Sequence, residues 1–315
     1  MFPIIDVSSW EVYRAEPMGT KAKDWRLSPD DGQPWLLKLN RKDNRTGIFA
    51  GEDWSEKIAA ELAELLGIPH AIVELASVNS LPGVIVKDFV SDRTKKKLTH
   101  GNELLAATIS AYPKEQKRGV VQHTISRVLD ALSESYVHLP AGWNAPRSVQ
   151  SPAEVFTGYL MLDVLIGNTD RHHENWAIVE TQEGARQVER YAEISPTYDH
   201  ASCLGRELTD DHRQQGLTGQ VPSKSPALYR QKCRSAFFAT ESDTSTMTPF
   251  AAFQLAAQKH PNAARTWLQK LSLITPSQTD NLFSSIPSER ISADGRKYAS
   301  MLLLLNLGEL AAMKV

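Results

Sequence analysis

The sequence predicts an α+β fold in two lobes, a small mixed β lobe over residues 1–90 and a larger, mostly helical lobe over residues 91–315. Two observations carry this. Up to Phe89, short apolar runs are punctuated by Gly, Pro and Asp turns around a single amphipathic helix, whereas beyond it apolar residues recur mainly at helical spacing. The 315 residues also suffice for each lobe to bury a core of its own.

Taken in order, "WEVYRA" (10–15) reads as a strand, and "EPMGTKAKDW" after it as a loop carrying Gly19. "SPDDGQ" (28–33) is a turn by its Asp and Gly content. "PWLLKLN" (34–40) is a strand with Lys38 inside an apolar run. "EDWSEKIAAELAELLGIP" (52–69) is a helix, because Ile58, Leu62, Leu65 and Leu66 share one face and Gly67 with Pro69 closes it. Strands over 71–79 and 83–90 follow, joined by a turn at Pro82 and Gly83.

Residues 91–105 read as a polar link, with the lysine run 95–97 a solvated surface. Helices are expected over 114–136, 151–166, 226–238, 248–259, 262–274 and 296–313. The clearest start is Ser151-Pro152-Ala153-Glu154, where serine and glutamate each satisfy an orphan amide and proline has none to lose. That helix is apolar enough to be buried, and Gly167 ends it.

Apolar residues make up 41 % and charged residues 23 %, and the net charge is −2, which gives no electrostatic case for binding nucleic acid or a membrane. Cys203 and Cys233 form no CxxC pair, so neither a disulfide framework nor a thiolate metal site is expected. The first residues, "MFPIIDVSSW", lack a secretory pattern, and a cytoplasmic location is expected. The apolar run 301–313 is broken by Asn306, Gly308 and Glu309 and reads as a buried helix, not a membrane span.

The chemistry concentrates in "GNTDRHHEN" (167–175), directly after the buried helix. Phosphoryl transfer from ATP needs a carboxylate to take or orient the acceptor proton, oxygen ligands for magnesium, and a lysine to pin the phosphates. Asp170 and Asn175 stand at the spacing of the HRDxxxxN loop of protein kinases. "WAIV" (176–179) and "RQVERYAEI" (186–194) then read as strands leading to Asp199, where a second metal-binding aspartate is expected. Upstream, Lys38 lies on an early strand, Glu56 on the next helix can hold its ammonium, and Gly19 precedes both. Each piece alone is weak; their order and setting together are not.

"GNTDRHHEN" followed by "YDHASCLG" resembles the HipA-like serine/threonine kinases, and the DRHxxN string is also similar to phosphatidylinositol-3/4-kinases. The resemblance implies a bilobal kinase-like fold using ATP and Mg²⁺, with Asp170 as catalytic base, Asn175 and Asp199 as metal ligands, and Lys38 with Glu56 as the phosphate-pinning pair. His172 would face the phosphates or brace the loop, and Phe89 and Val90 would lie near the hinge and the adenine. Backbone amides around Gly19 would cradle phosphate, and Thr20 is a candidate autophosphorylation site set against the simpler reading of a loop threonine. "PMGTKAKDW" departs from an ordinary kinase nucleotide loop in having one glycine.

The chain starts too close to Gly19 for the extra N-terminal subdomain of full-length members, so it resembles the shorter ones, where that piece is absent or separately encoded. The toxin role of some members implies a protein acceptor, such as an aminoacyl-tRNA synthetase or another translation component, and an antitoxin partner. Three other readings stand beside this one. One is a histidine metal site from His172, His173 and His200; the second is a catalytically silent binding module; the third is a kinase of a lipid or small molecule.

Overall fold

The computed structural model describes residues 1–15, 23–42, 47–90, 92–182 and 190–315. Its first sheet holds β1 (Ile4–Asp6), β2 (Glu11–Ala15), β3 (Lys23–Leu27), β4 (Pro34–Leu39), β5 (Val73–Val78) and β6 (Leu81–Lys87), in the order β1-β5-β6-β4-β3-β2. β1 runs parallel to β5, and the other neighbours are antiparallel. Lys38 on β4 faces Val84 on β6 and Lys23 on β3 in register. Gly83 permits this approach, since a Cβ there would come within 2.3 Å of the Lys38 carbonyl oxygen.

Helix α1 (Glu52–Leu66) crosses this sheet against β5 and β6. Its Ile58, Leu62 and Leu66 are buried, whereas Leu65, expected on the same face, is 41 % exposed, and Gly67 ends the helix. The same helix also touches α4, α8 and α9 of the helical part, whose ranges follow. One hydrophobic core therefore runs from Leu75 and Val86 of the sheet through Ile58 to Phe156 and Trp267.

A second sheet, β7 (Lys96–His100), β8 (Val137–His138), β9 (Ala177–Thr181) and β10 (Ala192–Ile194), has the order β7-β9-β10-β8. The helices are α2 (Gly101–Thr108), α3 (Ile125–Leu132), α4 (Pro152–Ile166), α5 (Asp210–Leu217), α6 (Pro226–Lys232), α7 (Pro249–Lys259), α8 (Pro261–Leu271), α9 (Pro276–Ser285) and α10 (Ala293–Ala311). α4 is the hub, buried almost throughout and flanked by α3, α7, α8 and α10. It starts as the sequence predicts: the Ser151 hydroxyl accepts from the Glu154 amide at 3.3 Å, and the Glu154 carboxylate accepts from the Ser151 amide at 2.9 Å. Gly167 stops it at φ 63°, a left-handed conformation that costs glycine nothing.

The fold is α+β, as expected, with a sheet-rich first part and a helical remainder, but several elements differ. The helix expected over 114–136 is only α3, because Gly119 turns at φ 71° and Thr124 caps the helix through the Arg127 amide. The polar link 91–105 contains β7 and the start of α2; the β9 ladder pairs "KKLTH" despite its poor strand pattern. Lys95 and Lys97 are exposed as expected, whereas Lys96 is half-buried, and Lys96 and Lys97 border a cleft. The loop expected up to Trp25 gives way to β3 from Lys23 onward, and β1, β8, α5 and α9 were not foreseen. Among the described residues, no helix is long and apolar enough to cross a membrane.

Candidate active site

A cleft of about 760 Å³ lies where the first sheet meets the 167–175 loop, a volume ordinary for a small-molecule site. Leu36, Lys38, Val86 and Phe89 line it from the sheet side; Asp170, His172, Asn175 and Asp199 line it from the other. Eleven lysine and arginine side chains border it against five carboxylates, so a chain of net charge −2 presents a positive cleft. Low-dielectric walls focus such a field and favour a polyanion.

Lys38 is the most constrained charge in the cleft. Its Nζ lies 2.7 Å from Glu56 Oε1 and 3.0 Å from Asp199 Oδ1, and it is 6 % exposed. Burial alone would lower its pKa; the charges of Asp199 and Glu56 outweigh that and raise it above the ordinary lysine value. The ammonium is therefore permanent at physiological pH. β4 and α1 deliver the lysine and its glutamate, and the segment after β10 delivers Asp199. Asp199 sits at φ 58°, in the left-handed region.

The 167–175 loop hangs from α4 by buried polar contacts. Arg171, 1 % exposed, forks onto Asp163 with Nε–Oδ2 at 2.8 Å and Nη2–Oδ1 at 2.7 Å. Its Nη1 donates to the Asn175 carbonyl at 2.8 Å, and Asn168 Nδ2 donates to Asp163 Oδ1 at 2.8 Å. Asn175 Nδ2 donates to the Asp170 carbonyl at 2.7 Å, so Oδ1 is the atom this amide can offer a cation. Asp170 has its amide on Asn168 Oδ1 at 3.1 Å, while its carboxylate meets Arg118 at 2.6 Å and the Ser202 hydroxyl at 3.4 Å. Tyr198 ties the Asp199 segment to this loop by donating to the Glu174 carbonyl at 2.8 Å.

The three histidines serve different ends. His172 lines the cleft, and its Nδ1 accepts from the Glu174 amide at 3.2 Å, which leaves the proton of a neutral ring on Nε2. Burial lowers its pKa, with Asp170 and Glu174 opposing. His173 faces inward; Nδ1 pairs with the Tyr112 hydroxyl at 2.8 Å, and burial pushes its pKa down to about 4. His200 is fully buried, its Nε2 shared by Arg171 at 3.0 Å and the Thr197 hydroxyl at 2.8 Å, and burial drives its pKa well below the usual value. Each ring spends one nitrogen on a protein partner, and the rings face different surroundings, His172 the cleft and His173 and His200 the core. Among the described residues, no three His, Cys, Asp or Glu side chains gather where they could hold an ion.

The structure thus brings Lys38, Glu56, Asp170, His172, Asn175 and Asp199 to one cleft or its wall. Phe89 lines it too, with its ring 5.6 Å from that of Tyr198. Val90 does not. It is buried, with its amide on Asp88 Oδ1 at 3.0 Å, and the apolar lining comes instead from Leu36 and Val86 beside Phe89. Gly19 and Thr20 lie outside the described residues.

Sequence reasoning missed the pair Asp163–Arg171 and the cleft cations Lys117, Arg118 and Arg206. A lone carboxylate in the otherwise apolar "FTGYLMLDVLIG" was a readable signal, since a buried charge demands a partner nearby. Nothing in "KEQKRG" (114–119) distinguished its charges from a solvated turn.

The sheet-rich first part, the helical remainder and the cleft between them define a kinase-like fold. A family model, the HipA-like C-terminal domain, matches residues 14–278, and the chain belongs to that family. Among solved structures, the chain is similar to the Helicobacter pylori proinflammatory kinase CtkA, at 17 % identity and a TM-score of 0.72, covering 98 % of this chain and 95 % of that one. It is also similar to HipA of the Shewanella oneidensis toxin–antitoxin system, in complex with HipB and operator DNA. There the identity is 14 % and the TM-score 0.52, over 97 % of this chain and 69 % of that one. At these identities the likeness speaks for the fold alone. No curated protein sequence matches the chain.

Proposed function

We propose that this chain is an ATP- and Mg²⁺-dependent serine/threonine protein kinase, with residues 1–90 as its nucleotide-binding lobe and 91–315 as the lobe carrying the transfer chemistry. The observation that carries the proposal is the buried Lys38, held between Glu56 and Asp199 in a positive cleft that Asp170 and Asn175 share. A charged cluster with a specific partner on the wall of a cleft is the arrangement that marks a functional site.

In this reading Lys38 pins the phosphates of ATP, and Glu56 orients its ammonium. The Asn175 amide oxygen and the Asp199 carboxylate are oxygen donors of the kind magnesium takes, and the two would hold it. Bound there, the metal would neutralise charge on the phosphate oxygens. Asp170 orients the acceptor hydroxyl and accepts its proton as the hydroxyl oxygen bonds to the γ-phosphorus. The bond from that phosphorus to the β–γ bridging oxygen breaks, and ADP leaves. His172, neutral with its proton on Nε2, offers a hydrogen bond to a phosphate oxygen without adding charge.

Two further elements belong to the proposal: a place in a toxin–antitoxin pair, supported by the similarity to HipA, with an antitoxin or a separately encoded N-terminal subdomain as partner, and, from the resemblance alone, a translation component such as an aminoacyl-tRNA synthetase as acceptor. Autophosphorylation, at Thr20 or near Asp199, belongs to the same reading.

The test is γ-labelled ATP and Mg²⁺ with a cell lysate, comparing the native chain with Asp170→Asn. Labelled acceptor bands with the native chain, reduced about 10²- to 10⁴-fold in the variant, are the expected result. Equal labelling by both would remove Asp170 from the base role. ATP bound by the native chain but never turned over would favour the silent binding module.

A further inference from the structure

The turn between α2 and α3 brings two cations over the 167–175 loop. Lys117 Nζ lies 2.7 Å from Glu174 Oε2, and Arg118 Nη2 lies 2.6 Å from Asp170 Oδ1. The turn itself is well tied. Gln116 Nε2 donates to the Arg118 carbonyl at 2.7 Å, and Asn102 Nδ2 donates to the Lys114 carbonyl at 3.0 Å. The backbone thus holds both charges at this end of the cleft, while the Arg118 side chain stays 71 % exposed and that of Lys117 44 %.

Arg118 spends only Nη2 on Asp170; its Nε and Nη1 have no partner among the described residues. An exposed ion pair of this sort is worth little and exchanges readily. It also occupies the carboxylate that an acceptor hydroxyl must reach. Acceptor and guanidinium therefore compete for Asp170, in a cleft with more cations than anions. A cationic acceptor would strand Arg118 beside further positive charge. An anionic one would supply the counter-ion that Arg118 gives up.

We infer that Arg118, with Lys117 beside it, selects the acceptor: the preferred protein segment carries a carboxylate next to its hydroxyl. As the hydroxyl takes Asp170, the carboxylate takes the guanidinium. The fork of Arg118 suits the two oxygens of a carboxylate, and Lys117 adds a point charge alongside. Arg118 is a specificity residue in this scheme, and it rests on the kinase reading, in which Asp170 handles the proton.

The test uses the full chain, γ-labelled ATP, and three peptides that differ only in the residues flanking one serine: Glu, Ala or Lys. The Glu-flanked peptide should exceed the Ala-flanked one in kcat/KM by about tenfold, the scale of one charge-assisted contact, with the Lys-flanked peptide poorest. Arg118→Ala should erase most of that preference and raise transfer to the Ala-flanked peptide, because Asp170 is released. Arg118→Glu should invert the order. A Glu preference that survives Arg118→Glu would overturn the inference. So would variants that raise the KM for ATP equally with all three peptides, since that places the guanidinium on the triphosphate. If lysate proteins are labelled but the Glu-flanked peptide is not, the inference fails alone; if nothing is labelled above the Asp170→Asn level, the kinase reading fails and takes it along.

Discussion

Asp170 and Arg171 are neighbours in the chain, yet their ion pairs have little in common. Arg171 and Asp163 are 1 % and 4 % exposed and forked together under the loop, whereas Asp170 and Arg118 are 24 % and 71 % exposed and share one contact in the cleft. The alternation extends further: Asp170, His172 and Glu174 border the cleft, while Arg171 and His173 turn into the core. Two tight turns, closed by the His172 amide on the Asp170 carbonyl at 2.8 Å and the Asn175 amide on the His172 carbonyl at 2.9 Å, send these side chains to different sides, so one short segment can be rooted by one set of residues and reactive through the other. Arg171 fixes where Asp170 stands. Arg118 fixes only what Asp170 meets.

The largest effect should come from breaking the buried side of this contrast. Asp163→Ala strands the Arg171 guanidinium in the core and should cost about 3–5 kcal/mol of unfolding free energy, measured by urea denaturation. A loss under about 1 kcal/mol would show that water reaches Arg171 and that the two pairs are alike.

Acid should come next. Burial, first among the causes, holds the pKa of His123 at about 3 and that of His173 at about 4, against about 6.5 unfolded. Both rings fold neutral, so protons bind the unfolded chain more readily between those values. Their contribution is complete above pH 6.5 and is lost as pH falls through about 4 and then about 3. Urea midpoints should therefore drop between pH 7 and pH 4, and less steeply for His173→Gln. A variant with the native slope would place His173 among the solvated residues.

The smallest effect is expected on the cleft side. Asp170→Asn, which should abolish transfer, should change stability by less than about 1 kcal/mol, because its partner is an exposed arginine that water can serve. A larger loss would make Asp170 a structural residue as well, and would blur the contrast between the two faces of the loop.

How far this was legible in the sequence follows from the range of the forces involved. Local signals read well: Ser151 to Glu154 announced α4, Gly167 its end, and the spacing of Ile58, Leu62 and Leu66 announced α1. The capping box at Thr275 and Gln278 is the same signal, yet α9 behind it went unread because Leu282 and Phe283 give it only a thin apolar stripe. β7 and β1 are held by strands distant in sequence and carry little pattern of their own. In the cleft, Lys38, Glu56, Asp170, Asn175 and Asp199 could be named because their chemistry prescribes residue types in a fixed order. Arg118 could not, because an arginine in a polar turn gains its meaning only from the carboxylate that folding sets against it, 52 positions away.

The left-handed backbone at Asp199 has a consequence that charge alone would not suggest. Most side chains pay about 1–2 kcal/mol in that conformation, while glycine pays nothing and Asp and Asn pay least among the rest. Saturation mutagenesis scored purely for soluble expression should therefore return Gly, Asn and Asp at this site, and selection for phosphate transfer then has three residues to choose from, of which one alone bears a carboxylate.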